Sequence, residues 1–154
     1  MRSGEIGFIE GIKHSMKPTA VPNITKHGEF RLEYSDKKLI STVRFVFDGE
    51  QTHDLKALWD TGSSITVIDP GVIDRLLVLP LPDDYGTINS IIGKSDVSIY
   101  KADMLSLDGE QFSLSGIDVW SAPTVHKKVH AIIGMDVIGL GCLSVSGGEF
   151  VFRI

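Results

Sequence analysis

The chain contains one Asp-Thr-Gly tripeptide, Asp60-Thr61-Gly62, directly after the apolar run Ala57-Leu58-Trp59. A strand seldom carries a carboxylate at its buried end, because desolvation of the charge costs several kcal/mol unless the group is paired or hydrogen bonded. A carboxylate in this position is therefore a candidate catalytic group. Two carboxyl groups that share one proton can act as base and acid on a bound water molecule. Since the tripeptide occurs once, the sequence predicts that such a site is built by two chains.

The residues on both sides of the tripeptide predict the strands that must hold it. The segment from Leu39 to Phe47 alternates in the manner of a strand, and Asp48-Gly49 is a turn signal. The segment from Thr52 to Trp59 then returns as the second arm of a hairpin, which ends at Asp60. Another strand is predicted from Ile65 to Ile68. The candidate carboxylate is therefore expected at the end of one strand and shortly before the next.

The sequence patterns in the rest of the chain also predict mostly strands. Asp69-Pro70 is typical of a helix N-terminus, so a short helix is predicted from Val72 to Val78. From Thr87 to Trp120 the pattern predicts strands, with turns at Gly93-Lys94 and Asp108-Gly109. The remaining predicted elements are an apolar strand from Ala131 to Ile133, a helical turn from Asp136 to Leu140, and a C-terminal hairpin of Leu143 to Val145 with Phe150 to Ile154.

Length and composition predict one all-β domain with one or two short helices, since the chain has 154 residues of which 42% are hydrophobic. Residues 29–154 are assigned to this domain and residues 1–28 to an N-terminal extension or irregular arm. The net charge of −5 argues against nucleic acid or an anionic membrane as a partner. Without a secretion signal and with one cysteine, Cys142, we expect a cytoplasmic protein that carries this thiol in its core.

About 70 residues after the tripeptide, the segment Ile132-Ile133-Gly134 is followed by a predicted short helix. This pair of segments, in this order and with a hairpin between them, resembles the retropepsin-like aspartic proteases, and in particular their single-domain bacterial members. The resemblance covers roughly Leu39 to Ile154. It implies a retropepsin-like closed β-barrel, an acid-protease half that is active as a homodimer. It also implies an aspartic endopeptidase that acts on polypeptide substrates without a cofactor or metal.

The resemblance also implies a role for each residue of the two motifs. Asp60 would be the catalytic residue of each subunit, and Thr61 would form a hydrogen bond across the dimer axis. Gly62 would let the substrate backbone approach closely. Ser63 departs from the pattern of many retropepsins, which carry alanine after Asp-Thr-Gly, and agrees with that of pepsin-like enzymes. We predict that its hydroxyl donates a hydrogen bond to the outer oxygen of Asp60, favours the ionised form and shifts the working pH range downward. The segment Ile132-Ile133-Gly134 would pass behind the Asp60 loop and support it.

Between the two motifs, the segment from Gly86 to Tyr100 corresponds in position to the flap of this family. The predicted flap residues are Ile91, Ile92, Gly93 and Lys94. A flap closes over an extended peptide and excludes water from the site. The alternative interpretation is an ordinary surface hairpin.

Other features of the sequence bear on metal binding, dimerisation and function. His126 and His130 have metal-pair spacing only on a helix, which Pro123 makes doubtful, so no metal site is predicted. Phe150, Phe152 and Ile154 make the last strand apolar, and we expect this strand to pair across a two-fold axis. The alternative function is a non-catalytic dimeric β-domain of the same fold that binds a peptide or protein. In that case the only role of Asp60 would be to stabilise the turn.

Overall fold

The computed structural model describes residues 12–14, 22–76, 78, 85–90, 93–107, 112–124, 126 and 128–154. Within these residues the chain forms fifteen strands and two short helices, so the all-β prediction is confirmed. The predicted turn at Asp108-Gly109 lies outside the described residues. No helix in the described ranges is both long enough and apolar enough to cross a membrane.

The strands before the first helix include the hairpin that was predicted to carry the tripeptide. They are β1 (Ile12–His14), β2 (Asn23–Lys26), β3 (Glu29–Ser35), β4 (Lys38–Phe47), β5 (Glu50–Gln51), β6 (Leu55–Trp59) and β7 (Thr66–Ile68). The elements that follow are α1 (Pro70–Ile73), β8 (Tyr85–Ser90), β9 (Gly93–Ala102), β10 (Met104–Leu107), β11 (Phe112–Ser115), β12 (Ile117–Ser121), β13 (Ala131–Ile133), α2 (Met135–Ile138), β14 (Cys142–Ser146) and β15 (Glu149–Arg153).

Strand β6 lies at the centre of the sheet, between β4 and β13. It pairs antiparallel with β4, as a hairpin requires, and parallel with β13. Strand β13 in turn pairs antiparallel with β7, which runs parallel to β12. Every residue of β13 and β7 is buried, which agrees with their fully apolar or β-branched sequences. Because β6 and β13 are parallel, their carboxyl ends meet at the same edge of the sheet.

The two faces of this sheet are covered by two separate apolar clusters. The first cluster is the larger, and β6 contributes Leu55, Ala57 and Trp59 to it. The second cluster lies on the opposite face and takes Leu58 from β6, because successive side chains of a strand alternate between faces. Trp59 packs against the rings of Phe30 and Phe152 at centroid distances of 5.6 and 4.8 Å. Trp59 therefore points into the core, on the face of the sheet opposite to Leu58.

The short helices differ slightly from their predicted extents. Asp69 caps α1 as predicted, since its carboxylate accepts a hydrogen bond from Gly71 N at 2.8 Å. The helix ends at Ile73, however, so the prediction of a helix from Val72 to Val78 is wrong. Short apolar runs do not distinguish a helix from irregular packing, and Leu76 packs against the first cluster from outside the helix. Helix α2 begins one residue before its predicted start.

The two ends of the chain depart from the sequence-based expectation. Strands β1 and β2 lie within residues 1–28 and pair with β8 and β11, so the described part of this segment is not irregular. Strand β15 is paired on both sides within one subunit, by β14 and β3. The expectation that this last strand offers its edge to a second subunit is therefore wrong. The prediction of a core position for Cys142 is also wrong, since this residue is exposed on β14.

Candidate active site

Asp60 follows β6 directly and lies at the edge where β6 and β13 end. Its backbone N–H donates to the carbonyl oxygen of Ile133 at 3.0 Å, which extends the pairing of the two strands by one residue. By strand alternation, its side chain projects from the same face as Leu58, away from the larger cluster. Asp60 is half-buried. The carboxylate is thus held at the end of a rigid strand and remains accessible from one side.

The residues after Asp60 form a tight turn that is closed by Asp60 itself. One carboxylate oxygen, Oδ1, accepts from Gly62 N at 2.9 Å, and the Asp60 carbonyl accepts from Ser63 N at 3.0 Å. An aspartate that bonds the backbone two residues later is a common way to stabilise a turn. Among the described residues, the second carboxylate oxygen, Oδ2, forms no hydrogen bond within the turn, so it is the oxygen that can face a water molecule or substrate.

The predicted supporting segment lies directly against this turn. Met135 N donates to the carbonyl oxygen of Ser63 at 2.7 Å. Gly134 approaches the chain after the turn so closely that a β-carbon there would lie 2.2 Å from the carbonyl oxygen of Ile65. Ile132 and Ile133 are fully buried, on opposite faces of the sheet. Only glycine fits at position 134, and this contact fixes the distance between the two motifs.

A side-chain contact that the sequence did not reveal joins the same two segments. The half-buried Asp136, at the start of α2, accepts hydrogen bonds through its carboxylate from Thr66 N at 3.0 Å and from Thr66 Oγ1 at 2.8 Å. Thr66 Oγ1 in turn accepts a longer bond from Gly134 N at 3.3 Å. Asp136 and Thr66 are 70 residues apart in sequence. Together they clamp the segment after the Asp60 turn onto the supporting segment.

Burial raises the pKa of Asp136 from its ordinary value of 3.8 to about 7, although its hydrogen bonds with Thr66 act in the opposite direction. Between these two pH values the folded protein therefore binds a proton that the unfolded chain releases. Stability is then greatest at the acidic end of this interval and falls as the pH rises through about 7. Ionisation of Asp136 thus lowers the stability of the fold, although the hydrogen bonds with Thr66 favour the ionised form.

We expect Asp136→Asn to remove this dependence, because an amide keeps one acceptor oxygen and cannot ionise. Urea unfolding of both proteins between pH 4 and 8 measures the effect. Between pH 4 and 7 the free energy of unfolding of the wild type should fall relative to that of the variant by roughly 1 kcal/mol per pH unit, and the difference should level off above pH 7. A difference between the two proteins that stays constant across this range would contradict the raised pKa.

The other residues of the turn are placed as follows. The Ser63 hydroxyl is buried and donates to the carbonyl oxygen of Ile65 at 2.8 Å, so the expected hydrogen bond to the Asp60 carboxylate is not formed. Because a hydroxyl has one hydrogen to donate, the predicted shift of working pH by Ser63 loses its basis. The Thr61 side chain is exposed. The Ser64 Oγ is buried and has no hydrogen-bond partner among the described residues.

Strands β8 and β9 form a long hairpin at the position of the predicted flap. Gly93 pairs with Ser90 and Lys94 with Asn89, so the expectation of a turn at Gly93-Lys94 is wrong and both residues belong to β9. Ile91 and Ile92 lie outside the described residues. Strand β9 continues into the body of the sheet, where it pairs with β12. The hairpin is therefore anchored to the domain, and its role as a flap stays a prediction.

The described residues contain no group of three or more His, Cys, Asp or Glu side chains that could hold a metal ion. The arrangement as a whole positions one carboxylate by backbone hydrogen bonds, a close glycine contact and the clamp of Thr66 and Asp136. Its chemistry is that of a single acid or base group per chain.

Comparison with known proteins agrees with this geometry. The model of the aspartyl protease family matches residues 43–137, which is more than half of the chain and includes both motifs. No match was found among curated protein sequences. A solved structure, described as a retropepsin-like aspartic protease from Rickettsia conorii, superposes with a TM-score of 0.56 at 10% sequence identity. The superposition covers 90% of this chain and 97% of that one. The chain therefore belongs to the aspartyl protease family and has a retropepsin-like fold.

Proposed function

We propose that the protein is an aspartic endopeptidase whose active site forms between two identical subunits, each of which contributes Asp60. The observation that carries this proposal is the position of Asp60. Its backbone N–H is bonded to Ile133 and its carboxylate to Gly62, yet one carboxylate oxygen remains available to a water molecule or substrate. Membership of the aspartyl protease family supports hydrolysis of peptide bonds. The single copy of the tripeptide supports a site assembled from two chains.

In this proposal the two carboxyl groups share one proton, because two like charges in contact cannot both ionise without a large cost. Aspartic proteases are the standard example of this effect. The ionised group takes a proton from a bound water molecule, which attacks the carbonyl carbon of the substrate peptide bond. The protonated group donates a hydrogen bond to the developing oxyanion. Titration then belongs to the pair of carboxyl groups and not to either one.

One polar group beside Asp60 is consistent with a partner that a single chain lacks. Thr61, the residue after Asp60, is exposed and is therefore free to bond its counterpart across a two-fold axis. The Ser64 Oγ is buried within the chain, so it is out of reach of a second subunit or a substrate and lends this proposal no support.

The test is cleavage of a mixed peptide library across pH 3 to 8, with sedimentation measured on the same samples. We expect cuts by a dimeric wild type and none by Asp60→Asn under the same conditions. A dimer that binds peptides without cutting them would favour the non-catalytic binding domain. A monomer that cuts peptides would contradict the shared site.

A further inference from the structure

A cleft of about 490 Å³ opens on the sheet between the β3–β4 hairpin, strand β6 and the later residues His126, Lys128 and Val129. Its apolar part includes Ile40 and Val129, and its rim carries the lysines Lys38, Lys56 and Lys128. Nothing in the proposed chemistry at Asp60 uses these residues.

The cleft lies on the same face of the sheet as the Asp60 carboxylate. Lys56, Leu58 and Asp60 are alternate residues of one extended segment, so they project to the same side. Ile40 is the β4 partner of Leu58, and both belong to the second apolar cluster together with Val129. At about 3.3 Å per residue, four residues separate Lys56 from Asp60 by roughly 13 Å. A peptide bound at Asp60 in an extended conformation would span this distance with three or four residues.

The wall of the cleft around Lys128 is held by hydrogen bonds. Thr124 Oγ1 donates to the carbonyl oxygen of Val129 at 2.6 Å, and His130 N donates to the carbonyl oxygen of Lys56 at 2.9 Å. Lys128 itself has a φ of 67°, a conformation that residues with a β-carbon seldom adopt. The described residues beside Lys128 are therefore tied to one another and to the strand that presents Lys56.

Positive charge exceeds negative charge in this cleft. Lys38 forms an ion pair with Asp36 at 3.6 Å. Lys56 and Lys128 form no ion pair with any described residue, and they share the cleft with one further carboxylate, Glu33. The cleft therefore has an excess of positive charge, although the net charge of the whole chain is −5. A positive cleft on an acidic protein attracts an acidic group and repels a basic one.

We propose that this cleft is a substrate subsite that binds an aspartate or glutamate side chain three or four residues from the bond that is cut. Lys56 and Lys128 supply the charges that recognise the carboxylate, and Ile40 and Val129 contact its methylene groups. The proposal rests on the proposed function, because it takes the peptide to run past Asp60. Both lysines are exposed, so the preference is moderate and weakens as salt is added.

The test uses one peptide that the wild type cleaves, prepared with Glu, Gln or Lys at each position three or four residues from the cut. At low salt we expect kcat/KM for the best Glu peptide to exceed that for its Gln counterpart by about 5- to 10-fold. The double variant Lys56→Gln, Lys128→Gln should abolish this ratio, and Lys56→Glu with Lys128→Glu should favour the Lys peptide. Lys26→Gln, on the exposed strand β2 at the far end of the sheet, is the matched control and should keep the wild-type ratio.

A wild type that cuts all three peptides equally, or double variants that keep the wild-type ratio, would overturn the subsite and leave the proposed function intact. Loss of dimerisation in the double variants, with selectivity unchanged, would also overturn the subsite and leave the proposed function intact, since the cleft would then bind a second subunit. Absence of cleavage would overturn the proposed function. In that case the affinity of Asp60→Asn for labelled Glu and Gln peptides, with and without the two lysines, still decides whether the cleft recognises a carboxylate.

Discussion

Asp60→Asn should lower kcat/KM for peptide cleavage by about four orders of magnitude or more, the scale observed when a group essential to a hydrolase is removed. An amide can neither take a proton from water nor share one with a second carboxyl group. The fold should survive the change, because an amide oxygen can still accept the hydrogen bond from Gly62 N that closes the turn. We therefore expect the free energy of unfolding to change by less than about 1 kcal/mol.

Mixed dimers make this prediction specific to a shared site. When wild type and Asp60→Asn are mixed in equal amounts and allowed to exchange subunits, random pairing leaves about a quarter of the dimers with two carboxylates. Activity should then fall to about one quarter of that of the same total amount of wild type. A fall to one half would show that each subunit cuts independently, and the Asp60 carboxylate would not be shared. Mixing with albumin in place of the variant controls for dilution.

Gly134→Ala should have the largest effect on stability among single substitutions at this site. The added carbon would lie 2.2 Å from the carbonyl oxygen of Ile65, and two more backbone atoms of Ile65 lie within 3.0 Å. Backbone atoms cannot turn away as a side chain can, so the turn and its support must separate. We expect a loss of about 3 kcal/mol or more in the free energy of unfolding and a loss of cleavage activity.

Thermal unfolding and urea titration measure this loss, and Gly71→Ala is the matched control. Gly71 lies in helix α1, where the nearest atom to an added carbon is a side-chain oxygen of Asp69 at 3.2 Å. The control should change the stability by no more than about 1 kcal/mol, since alanine is favoured over glycine in a helix. If Gly134→Ala were as stable as this control, the close contact with Ile65 would not exist in solution.

The elements that hold Asp60 could be predicted because their signals are local. Alternation of apolar residues placed β4 and β6, and a strand that ends in Asp-Thr-Gly indicates a turn whatever the rest of the fold. The contact between Thr66 and Asp136 could not be found in this way. An aspartate at the start of a helix is usually explained by solvent exposure and the helix dipole, so its hydrogen bonds with a residue 70 positions earlier could not be predicted from the local sequence.

The contrast between local signals and long-range contacts also explains the errors at the two ends of the chain. Strand β15 was correctly expected as a strand, yet which edges of a strand are paired depends on a distant segment, here β3. The pairing of β2 with β11 is equally remote in sequence. Long-range pairing follows from the complete sheet and not from the periodicity of either strand.

The hydrogen bonds that hold the Asp60 turn have one further consequence. Asp60 bonds Ile133, Ser63 bonds Met135, and Thr66 bonds Asp136, all within the same chain. In the proposed dimer each half of the site is thus formed by contacts within its own chain, so separation of the subunits leaves both halves folded. Synthesis of the chain at low levels would then yield folded, silent protein, and activity would rise with the square of its concentration until pairing is complete. Such an enzyme is switched on by its own abundance and silenced by dilution.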